Sequence, residues 1–159
     1  MPFSSENGKQ HIQWIVNRVP HATMLDIGCG CGTYAKMFRD ADWTGIEIWR
    51  PYFEKYELDK LYSKVFNVDV RHWNPEGQRW DVAIAGDVLE HMSVEEAKAT
   101  LNKLRNCADT VIVSLPLGYY PQGSYEGNPY ERHVKNNWTD AEVREAFGEP
   151  KWSKIDNEI

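Results

Sequence analysis

The stretch Leu25-Asp26-Ile27-Gly28-Cys29-Gly30-Cys31-Gly32 decides how the rest of this chain is read. Met24 to Ile27 is a short apolar run of strand character, and it ends in alternating glycines. After them Tyr34, Met37 and Phe38 mark one face of a helix. A strand, a glycine loop and a helix in that order bring bare backbone N–H groups and a positive helix end to one place. Asp26 precedes the loop, so a carboxylate reaches the same place. It would repel a pyrophosphate but could hold a cationic ammonium, directly or through water. The third glycine also comes one residue too early for the G-x-G-x-x-G of a dinucleotide loop, which counts against a nicotinamide-dinucleotide enzyme.

Outward from this loop, strands and helices alternate. Ile12, Ile15, Val16 and Val19 recur at helical spacing and predict an amphipathic first helix ending near Pro20. Trp43 to Glu47 reads as a second strand. Pro51 then opens a helix through Tyr52, Phe53 and Tyr56, and Lys64 to Val68 is a third strand. Asp81 to Ala85 and Thr110 to Leu115 are the fourth and fifth. Ser93 with Glu96, and Thr139 with Glu142, form capping-box patterns that open two more helices. A last strand is expected within Lys151 to Ile155. Apolar strands alternating with helices predict an α/β domain whose mostly parallel sheet is covered on both faces, in three layers. The segment Leu117 to Trp138 breaks this rhythm; it is long, aperiodic and rich in Gly, Pro and Tyr, as a lid would be.

Two more carboxylates agree with the loop. Glu47 ends the second strand at about the 20-residue distance expected of a group that accepts from ribose hydroxyls. Asp69 ends the third, where it could accept from an exocyclic amine such as that of adenine.

These residues resemble the class I S-adenosylmethionine-dependent methyltransferases, and the resemblance covers nearly the whole chain. Leu25 to Gly32 is similar to the family's first motif, Gly45-Ile46-Glu47 to its second and Asn67-Val68-Asp69-Val70 to its third. Asp81 to Ala85 with Asp87-Val88-Leu89-Glu90-His91 is similar to the fourth, and Val111 to Pro116 to the fifth. The resemblance implies a single Rossmann-like domain over residues 1–159, with a shortened C-terminal sheet edge and about six strands. It implies S-adenosylmethionine as cofactor, S-adenosylhomocysteine as product, and a cofactor site built from Asp26, Gly28, Gly30, Gly32, Glu47, Ile48, Asp69, Val70, Gly86 and Asp87. Ile48 and Trp49 are placed to cover the adenine, although Trp49 reads equally well as a buried anchor.

For catalysis His133 and His91 are the leading candidates, with Glu131 and Asp87 as alternatives, because each lies past the C-terminal end of a strand. A structural role for either histidine stands beside that reading. Tyr119, Tyr120, Tyr130 and Trp138, with Tyr125, could form an aromatic wall for the acceptor, since π-faces attract cations. The same rings could instead pin a long loop to the core. Cys29, Cys31, His91 and His133 are conceivable as four zinc ligands, but a glycine-flanked C-x-C lacks the usual two-residue spacing, so no metal is expected.

Composition narrows the function classes. A chain of 159 residues is too short for a closed eight-fold βα barrel, which needs about 250. With 42% apolar residues, seven Trp and eight Tyr, it has the material for a packed core. Its formal charge of −6 argues against a protein that grips nucleic acid through a broad basic face. No apolar stretch approaches the length of a membrane helix, no secretory pattern is visible at the start, and three cysteines fit a reducing compartment, so a cytoplasmic location is expected. The leading reading is methyl transfer to an oxygen or nitrogen acceptor on a small molecule. The alternative is a cofactor-binding subunit that is non-catalytic or needs a partner. Few residues follow Gly148, so a homodimer or partner chain covering the C-terminal sheet edge is a further expectation.

Overall fold

In the computed structural model, residues 6–155 are described. Five apolar runs pair as parallel strands: β1 (Thr23–Ile27), β2 (Asp42–Ile46), β3 (Lys64–Phe66), β4 (Trp80–Gly86) and β5 (Ala108–Ser114), in the order β3-β2-β1-β4-β5. The chain therefore lays down β1 to β3 in one direction, then crosses back to set β4 on the other flank of β1. The reversal opens a crevice at the carboxyl ends of β1 and β4, where open α/β sheets bind ligands.

Side chains alternate between the two faces with the period of a strand. Met24, Val82, Ile84 and Ile112 point into a cluster with Ile12, Ile15 and Val16 of α1 (Lys9–Val16) and Tyr34 and Ala35 of α2 (Thr33–Met37). Leu25, Ile27, Ala83 and Ala85 point the other way, onto Ala97, Leu101 and Leu104 of α5 (Val94–Cys107). Two short helices, α3 (Pro51–Lys55) and α4 (Leu58–Leu61), connect β2 to β3. The three-layer α/β class is thus the one expected. Both capping boxes are formed: Ser93 accepts from the Glu96 N–H at the start of α5, and Thr139 from that of Glu142 at the start of α6 (Asp140–Phe147).

The sheet holds five strands, against the about six expected. Residues 151–155 form no strand, because Trp152 turns back onto α1 and sets its ring edge-on to Trp14, with centroids 6.4 Å apart. Lys151, Ser153 and Lys154 around it are exposed. Residues 156–159 lie outside the described part. Among the described residues no strand pairs with the outer side of β5. The segment after β5 is not wholly irregular: β6 (Gly118–Tyr119) and β7 (Asn137–Trp138) pair antiparallel, and between them Pro129–Glu131 makes one 3₁₀ turn. No helix among the described residues is long and apolar enough to cross a membrane. Cys29, Cys31 and Cys107 are buried free thiols.

Candidate active site

The crevice is a cavity of about 290 Å³, walled by the glycine loop, the ends of β2 and β4, the segment after β3, residues 128–132 and Val134. Gly28, Gly30 and Gly32 all have positive φ (64°, 51° and 77°), which bends the loop back over the sheet in a way other residues resist. The loop is tied across to β2, since the Cys29 N–H donates to the Ile46 carbonyl at 3.1 Å. Because α2 has only five residues, it offers little dipole, and one loop donor is already used: the Gly30 N–H donates to Glu47 Oε2 at 2.9 Å. Five carboxyl groups, of Asp26, Glu47, Asp69, Asp87 and Glu131, line the cavity among apolar groups and Arg71 and Arg132, an arrangement that suits a cation-bearing ligand.

Asp26 is 1% exposed and Glu47 5%. Burial raises the Asp26 carboxyl to about 7; a hydrogen bond from the Tyr62 hydroxyl opposes the rise and the Glu47 charge adds to it. Glu47 is likewise raised to about 7 by burial, opposed by the N–H groups of Trp49 and Gly30 and reinforced by Glu131. The Trp49 N–H donates to Glu47 Oε1 at 2.7 Å, and Glu47's own N–H extends the β2–β3 ladder to the Phe66 carbonyl. This clasp sets the carboxylate at the rim. Ile48, Val70, Gly86 and Asp87 also line the cavity, as does Tyr34. Gly86 has a packing reason, because a Cβ there would run into the Tyr34 ring and hydroxyl. Asp87 holds φ 53°, a strained value for a residue other than glycine, with its N–H on the Ser114 carbonyl.

Several expected residues are placed differently. Gly32 does not reach the cavity; it caps α2 in the left-handed region, with its missing Cβ filled by Leu61. Asp69 lines the cavity, but its carboxylate is taken by Arg71, whose Nε and Nη2 donate to it at 3.0 and 2.6 Å, so an adenine amine would find those lone pairs engaged. Burial works the other way, yet those bonds hold Asp69 below the usual carboxylate range. Trp49 stands outside the cavity lining, its ring 6.2 Å from that of Tyr130.

The aromatic wall is reduced to one ring. Tyr130 lines the cavity, whereas Tyr119 and Tyr120 on and beside β6 are 78% and 55% exposed and turned away from it. Trp138 is a core residue, 1% exposed and packed on Phe147 of α6, which removes it from acceptor binding. The segment 117–138 nevertheless supplies a wall, because Tyr52 of α3 donates to the buried Glu131 at 2.9 Å and pulls the 3₁₀ turn over the crevice.

Of the two histidines, only His91 lines the cavity, and burial lowers its pKa. His133 stands behind it, ring centroids 5.0 Å apart, so it is not in direct reach of a ligand. Between and beneath them lies Glu90, 1% exposed, its carboxyl pushed well up by burial and by Asp87. The Leu89-Glu90-His91 run points to His91 before its neighbour Glu90, whose one local signal is an acidic residue placed directly after the apolar Val88-Leu89 pair. Tyr62 and Arg71 carried no local signal, since each matters through a carboxylate that the fold brings to it.

No curated protein sequence matches the chain. Among solved structures it resembles a protein from Nostoc punctiforme (18% identity, TM-score 0.62, 89% of this chain and 48% of that one). It also resembles an S-adenosylmethionine-dependent methyltransferase from Clostridium acetobutylicum (11%, 0.64, 87% and 76%). A third is the magnesium protoporphyrin IX methyltransferase of Synechocystis with bound SAM (21%, 0.58, 87% and 64%). Identities this low show a shared fold, and the chain spans about half the length of the Nostoc protein. In sequence, residues 25–109 match the family model of a methyltransferase domain, from the middle of β1 to the start of β5. That match runs over more than half of the chain and through the glycine loop, Glu47 and the cavity-lining end of β4, and so the chain belongs to the methyltransferase domain family.

Proposed function

We propose that this domain binds S-adenosylmethionine in the crevice and transfers its methyl group to an oxygen or nitrogen atom of a small-molecule acceptor. The observation that carries the reading is the convergence of Asp26 and Glu47, both buried and both at the carboxyl ends of neighbouring strands, on one cavity beside a glycine loop. A buried carboxylate is costly to ionise unless a cation or donors meet it, and this cofactor brings an ammonium, a sulfonium and ribose hydroxyls. Asp26 would serve the ammonium. Glu47, whose two oxygens each have one N–H donor, would take the hydroxyls with its remaining lone pairs. Ile48 and Val70 supply apolar surface, and Gly86 and Asp87 border the methionine end.

When bound, the cofactor supplies a methyl carbon that is already electrophilic. The chain's own task is then to align an acceptor and exclude water. Alignment alone is worth roughly 7–11 kcal/mol, against a factor of about 10²–10⁴ from a general base. The 3₁₀ turn held by Glu131 and Tyr52 closes one side, and Tyr130 borders the opening.

The test is incubation with methyl-labelled cofactor and fractionated metabolites, proteins and RNA. Label in a metabolite fraction above that of a Glu47→Ala control supports the reading; label no higher than the control in every fraction overturns it. That no strand among the described residues pairs with the outer side of β5 favours a second reading, a domain that needs a partner chain. Tight S-adenosylhomocysteine binding with turnover only after a partner is added would select it.

A further inference from the structure

Behind the cavity wall, Glu90, His91 and His133 each present one donor atom, and these three atoms lie within 4.8 Å of one another. Two come from consecutive residues of the Leu89–His91 3₁₀ turn; the third comes from the far end of the segment that returns over the crevice. The return is anchored on Glu90 itself, whose carbonyl accepts from the Val134 and Lys135 N–H groups at 2.9 and 3.1 Å.

The protonation pattern is fixed by backbone. His91 Nδ1 is 3.1 Å from the Arg132 carbonyl, and His133 Nδ1 is 2.6 Å from the Tyr120 carbonyl. A carbonyl only accepts, so each Nδ1 carries a proton and, in the neutral ring, Nε2 keeps the bare lone pair, the arrangement that metal-binding histidines owe to their outer partners. His133 Nε2 faces Glu90 Oε1 at 4.0 Å. The other oxygen, Glu90 Oε2, is buried and has no hydrogen-bond partner among the described residues. The His133 lone pair beside a buried carboxyl with an unpartnered oxygen, and the His91 ring 5.0 Å from that of His133, lack one thing, a cation.

We propose that Glu90, His91 and His133 form a binding site for a first-row divalent transition-metal ion at the wall of the crevice. Two imidazoles and one carboxylate suit zinc, cobalt, iron or manganese over magnesium and calcium, which prefer sets made of oxygen. Donors held at about 2.1 Å from one ion stand about 3.4 Å apart in tetrahedral geometry, so the ion draws this slightly open triad together. Three protein ligands leave a position open, and of the three His91 alone lines the cavity, so the proposal has that position reached from the crevice. On the methyltransferase reading it is where an acceptor oxygen would coordinate; metal binding itself does not depend on that reading.

The experiment is titration of the chelator-stripped full chain with Co²⁺, followed by visible absorption and calorimetry, with S-adenosylhomocysteine affinity measured in parallel. One Co²⁺ per chain with the intense bands of a low-coordinate N/O site, weakened at least tenfold in Glu90→Gln and in His133→Gln, supports the site. No stoichiometric binding by the wild type overturns it, as does undiminished binding by both variants. Circular dichroism checks the fold of each variant, and His91→Gln replaces one that does not fold. Loss of S-adenosylhomocysteine binding with Co²⁺ binding retained would sink the methyltransferase reading and leave the metal site standing.

Discussion

The Tyr62 hydroxyl donates to Asp26 Oδ2 at 2.7 Å, joining the residue after α4 to the penultimate residue of β1 beneath the crevice. Both partners are buried, at 3% and 1% exposure. The bond gives the carboxylate a neutral donor while leaving its charge uncompensated on the cavity side. Removing it with Tyr62→Phe should cost about 1–3 kcal/mol of stability and make Asp26 harder to ionise. S-adenosylhomocysteine should then bind about five- to tenfold more weakly at pH 7, read by calorimetry beside a urea melt. Unchanged affinity would mean that Asp26 does not face the ligand's cation.

Proton linkage provides a second check. Asp26 and Glu47 are both raised to about 7 from ordinary values of 3.8 and 4.5. Asp26 is faced by Tyr62 and Glu47, and Glu47 by Glu131 and two backbone N–H groups. Between about pH 4 and pH 7 the folded chain keeps protons that the unfolded chain has released, so these two groups make stability fall as pH rises through that window. A cationic ligand favours their ionised forms. Binding near pH 6.5 should therefore release protons, giving an enthalpy that varies with the buffer's ionisation enthalpy. The variation should vanish by about pH 8.5, where both carboxyls are already ionised. A buffer-independent enthalpy at pH 6.5 would count against the arrangement.

Gly86 tests the packing of the cavity's far wall. Its Cβ would meet the Tyr34 ring, which is 2% exposed and has open space only on the cavity side. Gly86→Ala should lose about 1–3 kcal/mol by overpacking and shift Tyr34 into the cavity, weakening cofactor binding as well. Denaturant melts and calorimetry would show both, and a neutral result would show that the wall can relax.

Trp138 and Tyr130 separate core from wall. Trp138→Ala should cost about 3–5 kcal/mol, with the ligand affinity of the remaining folded protein unchanged. Tyr130→Ala, at a residue 45% exposed, should stay within about 1 kcal/mol in stability and should act on the acceptor's KM. The opposite pattern would return Trp138 to the site.

Much of this architecture is legible along the chain, for local reasons. The apolar runs at Met24–Ile27 and Val82–Ala85, the capping boxes at Ser93 and Thr139, and the glycines that end β1 all act within a few residues. Glu47 could be placed because a strand of five residues carries its end to a known level of the sheet. Trp138 and Gly32 could not, because an aromatic residue in a long loop and a glycine in a turn each serve packing as readily as binding.

By itself the sequence determined the order of strands and helices, the crevice that this order implies, and the carboxylates at its rim, since backbone propensity and hydrophobic period are properties of neighbours. Only the tertiary structure decided which partners those carboxylates meet. Arg71 takes Asp69, Tyr62 holds Asp26, and the segment returning through Glu131 sets His133 beside Glu90 and His91. These pairings depend on how separate segments pack, with Trp138 on Phe147 and Tyr52 on Glu131 fixing the loop's path. For the same reason Trp152 lies against α1, and the edge of β5 is left without a sixth strand among the described residues.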